Sequence, residues 1–183
     1  APTLSLAERA AELVLAGSAG DEFRKVTLGT NEFENFVDPN LPAGFAPFGI
    51  SLIGGKLYVS YAKQDADAED DVAGRGNGFI DVFETNGHFD QRLVSRGELN
   101  APWGMAIAPA GFGRLAGTLL VGNFGDGRIG AYRDGHFAGL LRDGSGRPIA
   151  IDGLWGLLPG TAATGGTGAV WFSAGPDDEA NGL

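Results

Sequence analysis

The chain has 183 residues and no cysteine, so it is long enough for one domain with a sizeable core and offers neither a disulfide framework nor thiolate metal ligands. Its net charge is −10, without any cluster of basic residues, which disfavours nucleic-acid binding. No apolar run approaches the roughly 18–20 residues of a spanning helix, so we expect no membrane insertion.

The first 30 residues differ from the rest because they are rich in Ala, Leu and Glu. Ser5 as an N-cap, with Glu8 three residues later, favours a helix over residues 4–15. The alternative is a pair of strands, Glu12 to Ala16 and Arg24 to Leu28, which would form part of a first repeat. Local signals favour the helix, but tertiary context can override them, so both interpretations stay open.

A short phrase then recurs along the chain, at Ala46 to Ile50, Ala101 to Met105 and Gly153 to Leu157. Each copy places an aromatic residue directly before a glycine, and successive aromatic residues lie 55 and 52 residues apart. Self-similarity at roughly 40–55 residues is typical of propellers and other repeat folds. The chain is therefore a tandem array.

Each phrase is followed by an apolar run, and the first two copies add two further predicted strands with Asn-Gly or Asp-Gly turns. Four short strands per repeat make one propeller blade. We predict an all-β fold of four-stranded antiparallel blades, three to four in number, after a short N-terminal segment with a candidate helix. The single domain would comprise an N-terminal segment with a partial blade at 1–45, blades at 46–100 and 101–152, and a partial blade at 153–183.

The third blade lacks its last two strands. Closed propellers typically use four to eight blades, so three arrangements stay open: residues 12–38 complete the terminal blade of a small propeller, two chains complete one ring, or the chain is part of a longer propeller. For an unclosed array we expect a protein partner or self-association through residues 1–45 and 153–183, because exposed apolar ends are seldom tolerated.

The second blade, from Leu99 to Ile107 and from Leu119 to Ile129, resembles the NHL repeat. That repeat has a Pro-x-Gly entry into its first strand, as in Pro102-Trp103-Gly104, an apolar second strand ending in a polar residue, and an Arg-Ile-led third strand, as in Arg128-Ile129.

A longer resemblance covers residues 36–183. The runs Phe36 to Gly44, Tyr61 to Asp65, Gly76 to Phe83 and Gly153 to Gly156 are similar to an uncharacterised bacterial family of exported NHL-like propeller proteins, some of which accompany the PEP-CTERM sorting system. The resemblance implies the C-terminal half of a six-bladed ring and an exported, periplasmic or extracellular location. The start Ala1-Pro2-Thr3, without an initiator Met, agrees with export. No activity is established for that family, so no reaction is implied.

The densest polar feature is the loop after the second strand of the first complete blade, where five carboxylates fall within residues 65–71. Clustered carboxylates can supply the oxygen ligands of Ca²⁺, which makes Asp65, Asp67 and Asp71 candidate metal ligands. The EF-hand pattern is not met, and the alternative is a solvated acidic loop that aids solubility.

Other polar residues lie at or just beyond the ends of predicted second strands, where propeller loops converge on one face near the channel: Tyr61, Asn123, Asp126 and Asp177. We predict a ligand or channel face there. Asn100 and Asp152, each three residues before a Trp, are better explained as hydrogen-bonded links between blades. The aromatic residues of the three phrases most simply fill the gaps between blades, with a sugar-stacking platform as the alternative.

No catalytic constellation is recognised in the sequence, because His88 and His136 both fall at predicted hairpin tips on the outer rim, and no nucleophile elbow, P-loop or zinc pattern appears. We therefore expect a non-enzymatic binding or scaffold module in an envelope or extracellular assembly. The alternative is a metal-dependent hydrolase or lyase of the gluconolactonase-like propeller class.

Overall fold

The structure is a computed structural model, and it describes the backbone of residues 12–16, 23–27 and 32–177 and the side chains of residues 36–177. The regular elements of these residues are thirteen strands and one short 3-10 turn, Gly113–Leu115. The strands are β1 (Glu12–Ala16), β2 (Phe23–Thr27), β3 (Glu32–Phe36), β4 (Phe45–Ile53), β5 (Lys56–Lys63), β6 (Gly78–Phe83), β7 (Phe89–Ser95), β8 (Pro102–Ile107), β9 (Leu119–Asn123), β10 (Ile129–Arg133), β11 (His136–Leu140), β12 (Leu154–Pro159) and β13 (Val170–Ala174).

These strands form four antiparallel sheets in chain order: β1-β2-β3, β4-β5-β6-β7, β8-β9-β10-β11 and β12-β13. Each complete sheet is a meander whose first strand opens with the aromatic–glycine phrase. The predicted all-β propeller fold is confirmed, with blade one at β4–β7, blade two at β8–β11 and a terminal half-blade at β12–β13. No helix long and apolar enough to cross a membrane is present in the part of the chain that the structure describes.

The N-terminal segment corrects one prediction. Residues 12–15 belong to β1 rather than to the favoured helix, whose first part, residues 4–11, lies outside the described residues. Antiparallel pairs such as Leu13 with Val26 and Leu15 with Arg24 join β1 to β2, and a sheet ladder supplies backbone hydrogen bonds that override helix propensity. The strand alternative was the right one.

The three N-terminal strands also form a sheet of their own. Among the described strands, no ladder joins this sheet to β12–β13, so the arrangement in which residues 12–38 complete the third blade is wrong for this structure. Among the described strands, the first sheet has three members and the last sheet has two.

The first strands of the blades, β4, β8 and β12, lie side by side and make the inner surface of the array. Their repeated glycines allow this close approach. A Cβ at Gly49 would lie 2.5 Å from the backbone oxygen of Trp103, and one at Gly104 would lie 2.5 Å from the backbone oxygen of Trp155. At the first two copies of the aromatic–glycine phrase, only glycine leaves room for the next inner strand.

The core lies between adjacent sheets rather than within one sheet. One cluster joins the end of β3 to blade one through Phe36, Phe45 and Phe83. A second joins blades one and two and includes Ile80 and Met105, while a third joins blade two to the half-blade. Each blade therefore depends on its neighbour for burial, as in other repeat proteins.

Hydrogen bonds from the residues before each Trp tie neighbouring segments together. The Asn100 side-chain oxygen accepts a hydrogen bond from the Gly74 backbone N–H at 2.5 Å, and Asp152 accepts one from the Asp177 backbone N–H at 3.1 Å. The Asn100 contact joins a loop of blade one to the start of blade two, as predicted, whereas the Asp152 contact lies within the β12–β13 sheet and its role as a link between blades stays a prediction.

Candidate functional site

The inner strands form an apolar groove of about 520 Å³. Leu52 of β4 and Leu158 of β12 are each 67% exposed there, although both are large aliphatic residues. Ser51 is the one lining residue with a polar side chain besides the indole of Trp103, and no lining residue is titratable. The lining residues are Ile50, Ser51, Leu52, Ile53, Gly54, Trp103, Gly104, Met105, Ala106, Ile107, Gly156, Leu157, Leu158 and Pro159.

Aromatic rings continue along this inner surface across the blade boundaries. The ring centroids of Phe48 and Trp103 lie 4.7 Å apart, and those of Trp103 and Trp155 lie 6.3 Å apart. Phe124 lies 6.0 Å from both Phe48 and Trp103. The geometry matches the prediction that the repeated aromatic residues fill the gaps between blades, since their rings contact one another and are only half-exposed.

Trp155 ends this row. Its indole nitrogen is buried and has no hydrogen-bond partner among the described residues. Its equivalent, Trp103, is flanked by rings on both sides, whereas among the described side chains Trp155 has a ring neighbour only on the side of blade two. A buried donor without an acceptor is costly, and the indole N–H of Trp155 shares this state with the Tyr132 hydroxyl inside blade two.

The acidic loop forms a turn. The Asp65 carboxylate accepts a hydrogen bond from the Glu69 backbone N–H at 3.0 Å, and the Asp65 backbone N–H donates to the Asp70 carbonyl at 2.9 Å. Asp67 is exposed, and partial burial raises the pKa of the Asp71 carboxyl. Within the described ranges, no three acidic or histidine side chains converge in an arrangement that could hold a metal ion. The Ca²⁺ site at Asp65, Asp67 and Asp71 stays a prediction.

The four residues expected at a ligand face have different environments. Tyr61 is fully buried in the core beside blade one. Asn123 is also buried, and its amide accepts from the Asn100 backbone N–H and donates to the Glu98 carbonyl. Both side chains are packed or hydrogen-bonded inside the fold, and a ligand or channel face that includes them stays a prediction.

Asp126 and Asp177 are exposed, as a ligand face requires. However, Asp126 accepts a hydrogen bond from the Arg128 backbone N–H at 3.1 Å, which is an ordinary turn contact. His88 precedes β7 and His136 opens β11, and both lie at hairpin tips, as the sequence predicts.

A buried ion cluster was missed by the sequence analysis. Arg92 on β7 donates to the carboxylates of Asp81 on β6 and Asp38 just after β3, and neither carboxylate is exposed to solvent. The guanidinium also lies 4.4 Å from the ring centroid of Phe79. Burial raises the pKa of Asp81 to about 7. The cluster fastens the segment after β3 to blade one.

No signal in the sequence could have identified this cluster as a unit, because its three charged residues are separated by up to 54 positions. The one hint is that Asp81 stands among apolar residues of a predicted strand. A charge buried in such a strand needs a partner.

No family model matches the chain. Two curated relatives are uncharacterised proteins of Acanthamoeba polyphaga mimivirus. One is 40% identical over 148 residues, covering 80% of this chain and 36% of the relative, and the other is 40% identical over 151 residues, covering 80% and 38%. The chain thus spans less than two fifths of the length of these relatives.

Among solved structures, the chain is similar to a protein with a provisional gluconolactonase assignment. The TM-score is 0.56 at 18% identity, covering 94% of this chain and 58% of that one. At this identity the similarity shows the fold alone, and it agrees with the propeller architecture described above.

Proposed function

We propose that the chain is part of a non-enzymatic propeller that binds an uncharged, apolar ligand along its inner strands. The observation that carries the proposal is the composition of the inner groove. Its volume of about 520 Å³ is within the usual range for ligand pockets. Large aliphatic side chains that are two-thirds exposed would be stabilised by covering them.

No residue that lines the groove is titratable, which favours a binding function over a hydrolytic one. Metal-assisted hydrolysis needs oxygen or nitrogen ligands around one cation and a group that positions water. The residues that line this groove are aliphatic, aromatic, glycine, proline, methionine and one serine. A ligand bound there would be recognised by shape and apolar contact.

A metal-dependent hydrolase or lyase is the second candidate. The provisional assignment of the similar solved structure favours it, and the acidic loop at residues 65–71 offers carboxylates. The carboxylates of that loop would have to rearrange to share one ion, because the Asp65 carboxylate already accepts from the Glu69 backbone.

We also propose that the chain derives from an exported protein and serves an envelope or extracellular assembly. The support is the resemblance of residues 36–183 to exported NHL-like propellers. A rigid array of blades with short connecting turns is suited to a scaffold or binding role, because function in such folds lies on a surface rather than in a moving part.

The test is binding of the neutral apolar dye Nile red. We expect a blue-shifted fluorescence increase with saturation in the micromolar range, and at least a tenfold weaker affinity in Leu52→Asp, because a carboxylate in the groove would be desolvated by the dye. Val37→Asp is the matched control, since Val37 is a comparably exposed aliphatic residue that lies outside the groove.

Equal binding by both variants and the original chain would contradict a site in the groove. Hydrolysis of a sugar lactone that requires added Ca²⁺ and disappears in Asp71→Asn would favour the hydrolase instead. The dye assay and the hydrolysis assay therefore report on different residues.

A further inference from the structure

The inner strand of blade one has an edge with which no other described strand pairs. Strand β4 is the first strand of its four-stranded sheet, and its ladder is formed with β5. The residues of β4 that follow Gly49 line the apolar groove. An edge strand presents backbone N–H and C=O groups without ladder partners, which makes it a template for a further strand. The groove therefore contains polar backbone as well as apolar side chains.

The turn after β4 determines which backbone groups lie on that edge. Ile53 and Lys56 pair across the two-residue turn Gly54-Gly55, whose φ angles are +59° and +82°. Positive φ at both positions is the geometry of a type I′ turn, in which the two flanking residues exchange hydrogen bonds. Hydrogen-bonded and non-hydrogen-bonded pairs alternate along an antiparallel ladder, so Leu52 and Ile50 form pairs of the second kind. Their backbone N–H and C=O groups therefore point away from β5.

The walls of the groove leave this edge open and carry no charge. The side chain of Leu52 is two-thirds exposed, and so is that of Leu158, which lines the groove from β12. Ile107 lines it from β8 and is 39% exposed. No lining residue is titratable. A ligand would thus meet the alternating partial charges of an unpaired strand edge between uncharged apolar walls.

We propose that the groove receives an extended, uncharged polypeptide segment, which adds to β4 as a further strand. The backbone of the segment has the complementary partial charges, because it donates to C=O groups and accepts from N–H groups at Ile50 and Leu52. Its apolar side chains contact the walls at Ile107 and Leu158. Strand addition of this kind obtains affinity from main-chain hydrogen bonds and specificity from the side chains. The inference rests on the proposed function and names the class of ligand for the same groove.

The free edge favours a peptide over a purely apolar molecule. An acyl chain in the same position would remove the N–H and C=O groups of Ile50 and Leu52 from water without replacing their hydrogen bonds. Burying such groups unpaired costs free energy. A peptide strand covers the same aliphatic surface and also satisfies the edge.

The first test compares two ligands on the unchanged chain by equilibrium dialysis. One is a capped peptide of six alternating valine and threonine residues, and the other is its analogue with ester links in place of the amide links. The side chains are identical, but the ester analogue has no backbone N–H donors. We expect the peptide to bind and to displace Nile red, and the ester analogue to bind at least tenfold more weakly.

The outcomes separate this inference from the proposed function. Nile red binding without peptide binding would overturn the strand addition and leave the apolar groove in place. Equal binding of the peptide and its ester analogue would also overturn it, because side-chain contacts alone would then account for the affinity. Displacement of the dye by an uncharged long-chain alcohol but not by the peptide would assign the groove to a lipid. Binding of neither dye nor peptide would contradict both proposals.

The second test changes the edge in the protein itself. Leu52→Pro removes the backbone N–H that points away from β5, and proline is tolerated on an edge strand. Leu52→Ala is the matched control, because it also shortens the side chain but keeps the N–H. We expect Leu52→Pro to bind the peptide at least tenfold more weakly than Leu52→Ala, and equal affinities would overturn the proposal. Circular dichroism verifies that the sheets of both variants are intact, and the ester comparison decides the question if Leu52→Pro does not fold.

Discussion

Blade two and the terminal half-blade begin with the same phrase but differ in burial. The strand pair β8–β9 is covered by β10 on its edge and by blade one on its face, and its apolar residues form two core clusters. Among the described strands, the pair β12–β13 has a neighbour only on the side of blade two. The difference teaches that the repeat is not a folding unit by itself, since each sheet obtains half of its core from the next one.

The largest expected effect lies in the second strands. Leu120→Ala in β9 should lower the free energy of unfolding by about 2–5 kcal/mol, because Leu120 is fully buried and the cavity does not collapse. Phe172→Ala in β13 should change it by less than about 1 kcal/mol in dilute solution, as is usual for exposed sites. Chemical denaturation measures both, and equal losses would abolish the distinction between the two blades.

A smaller effect is expected at the inner strands. Gly104→Ala should cost about 1–3 kcal/mol, because the new Cβ would press on the backbone of Trp155 and Leu157. Gly156→Ala should cost less than about 1 kcal/mol, since among the described residues only the Ser173 hydroxyl must move. Chemical denaturation measures both losses, and an equal loss in the two variants would mean that β12 is approached as closely as β8.

A pH-dependent effect concerns the N-terminal end, which the buried ion cluster fastens to blade one. Because burial raises the pKa of Asp81 from its ordinary value to about 7, its folded form holds a proton that the unfolded chain releases near pH 4. The stability from this group is complete below about pH 4 and is lost as the pH rises through 7.

Asp81→Asn should therefore flatten the decline of unfolding free energy between pH 4 and 7. Asp143→Asn is the control. Hydrogen bonds from Ser145 and Arg147 lower the pKa of that exposed carboxyl, so the stability that it contributes is lost only as the pH falls. An unchanged slope in Asp81→Asn would mean that Arg92 keeps Asp81 ionised in the folded protein.

Much of the fold was predictable because local residue types mark the strands and turns of each repeat. Turn residues such as Asn86-Gly87 and Asp134-Gly135 mark hairpins, and apolar runs mark the strands between them. Residues 12–15 were harder, because their composition favours a helix and only pairing with β2 made them a strand. The candidate site was predicted in part, since the aromatic row was expected but the apolar groove beside it was not.

The sequence by itself determined the number of aromatic–glycine phrases and the four-stranded period, since these depend on residue order alone. Tertiary structure decided the use of each polar side chain. Tyr61 and Asn123 follow the pattern of channel residues, yet packing between sheets buries both, and Asp38, Asp81 and Arg92 meet only because blade one folds beside the N-terminal sheet. Burial is a property of neighbours distant in sequence, which no local pattern specifies.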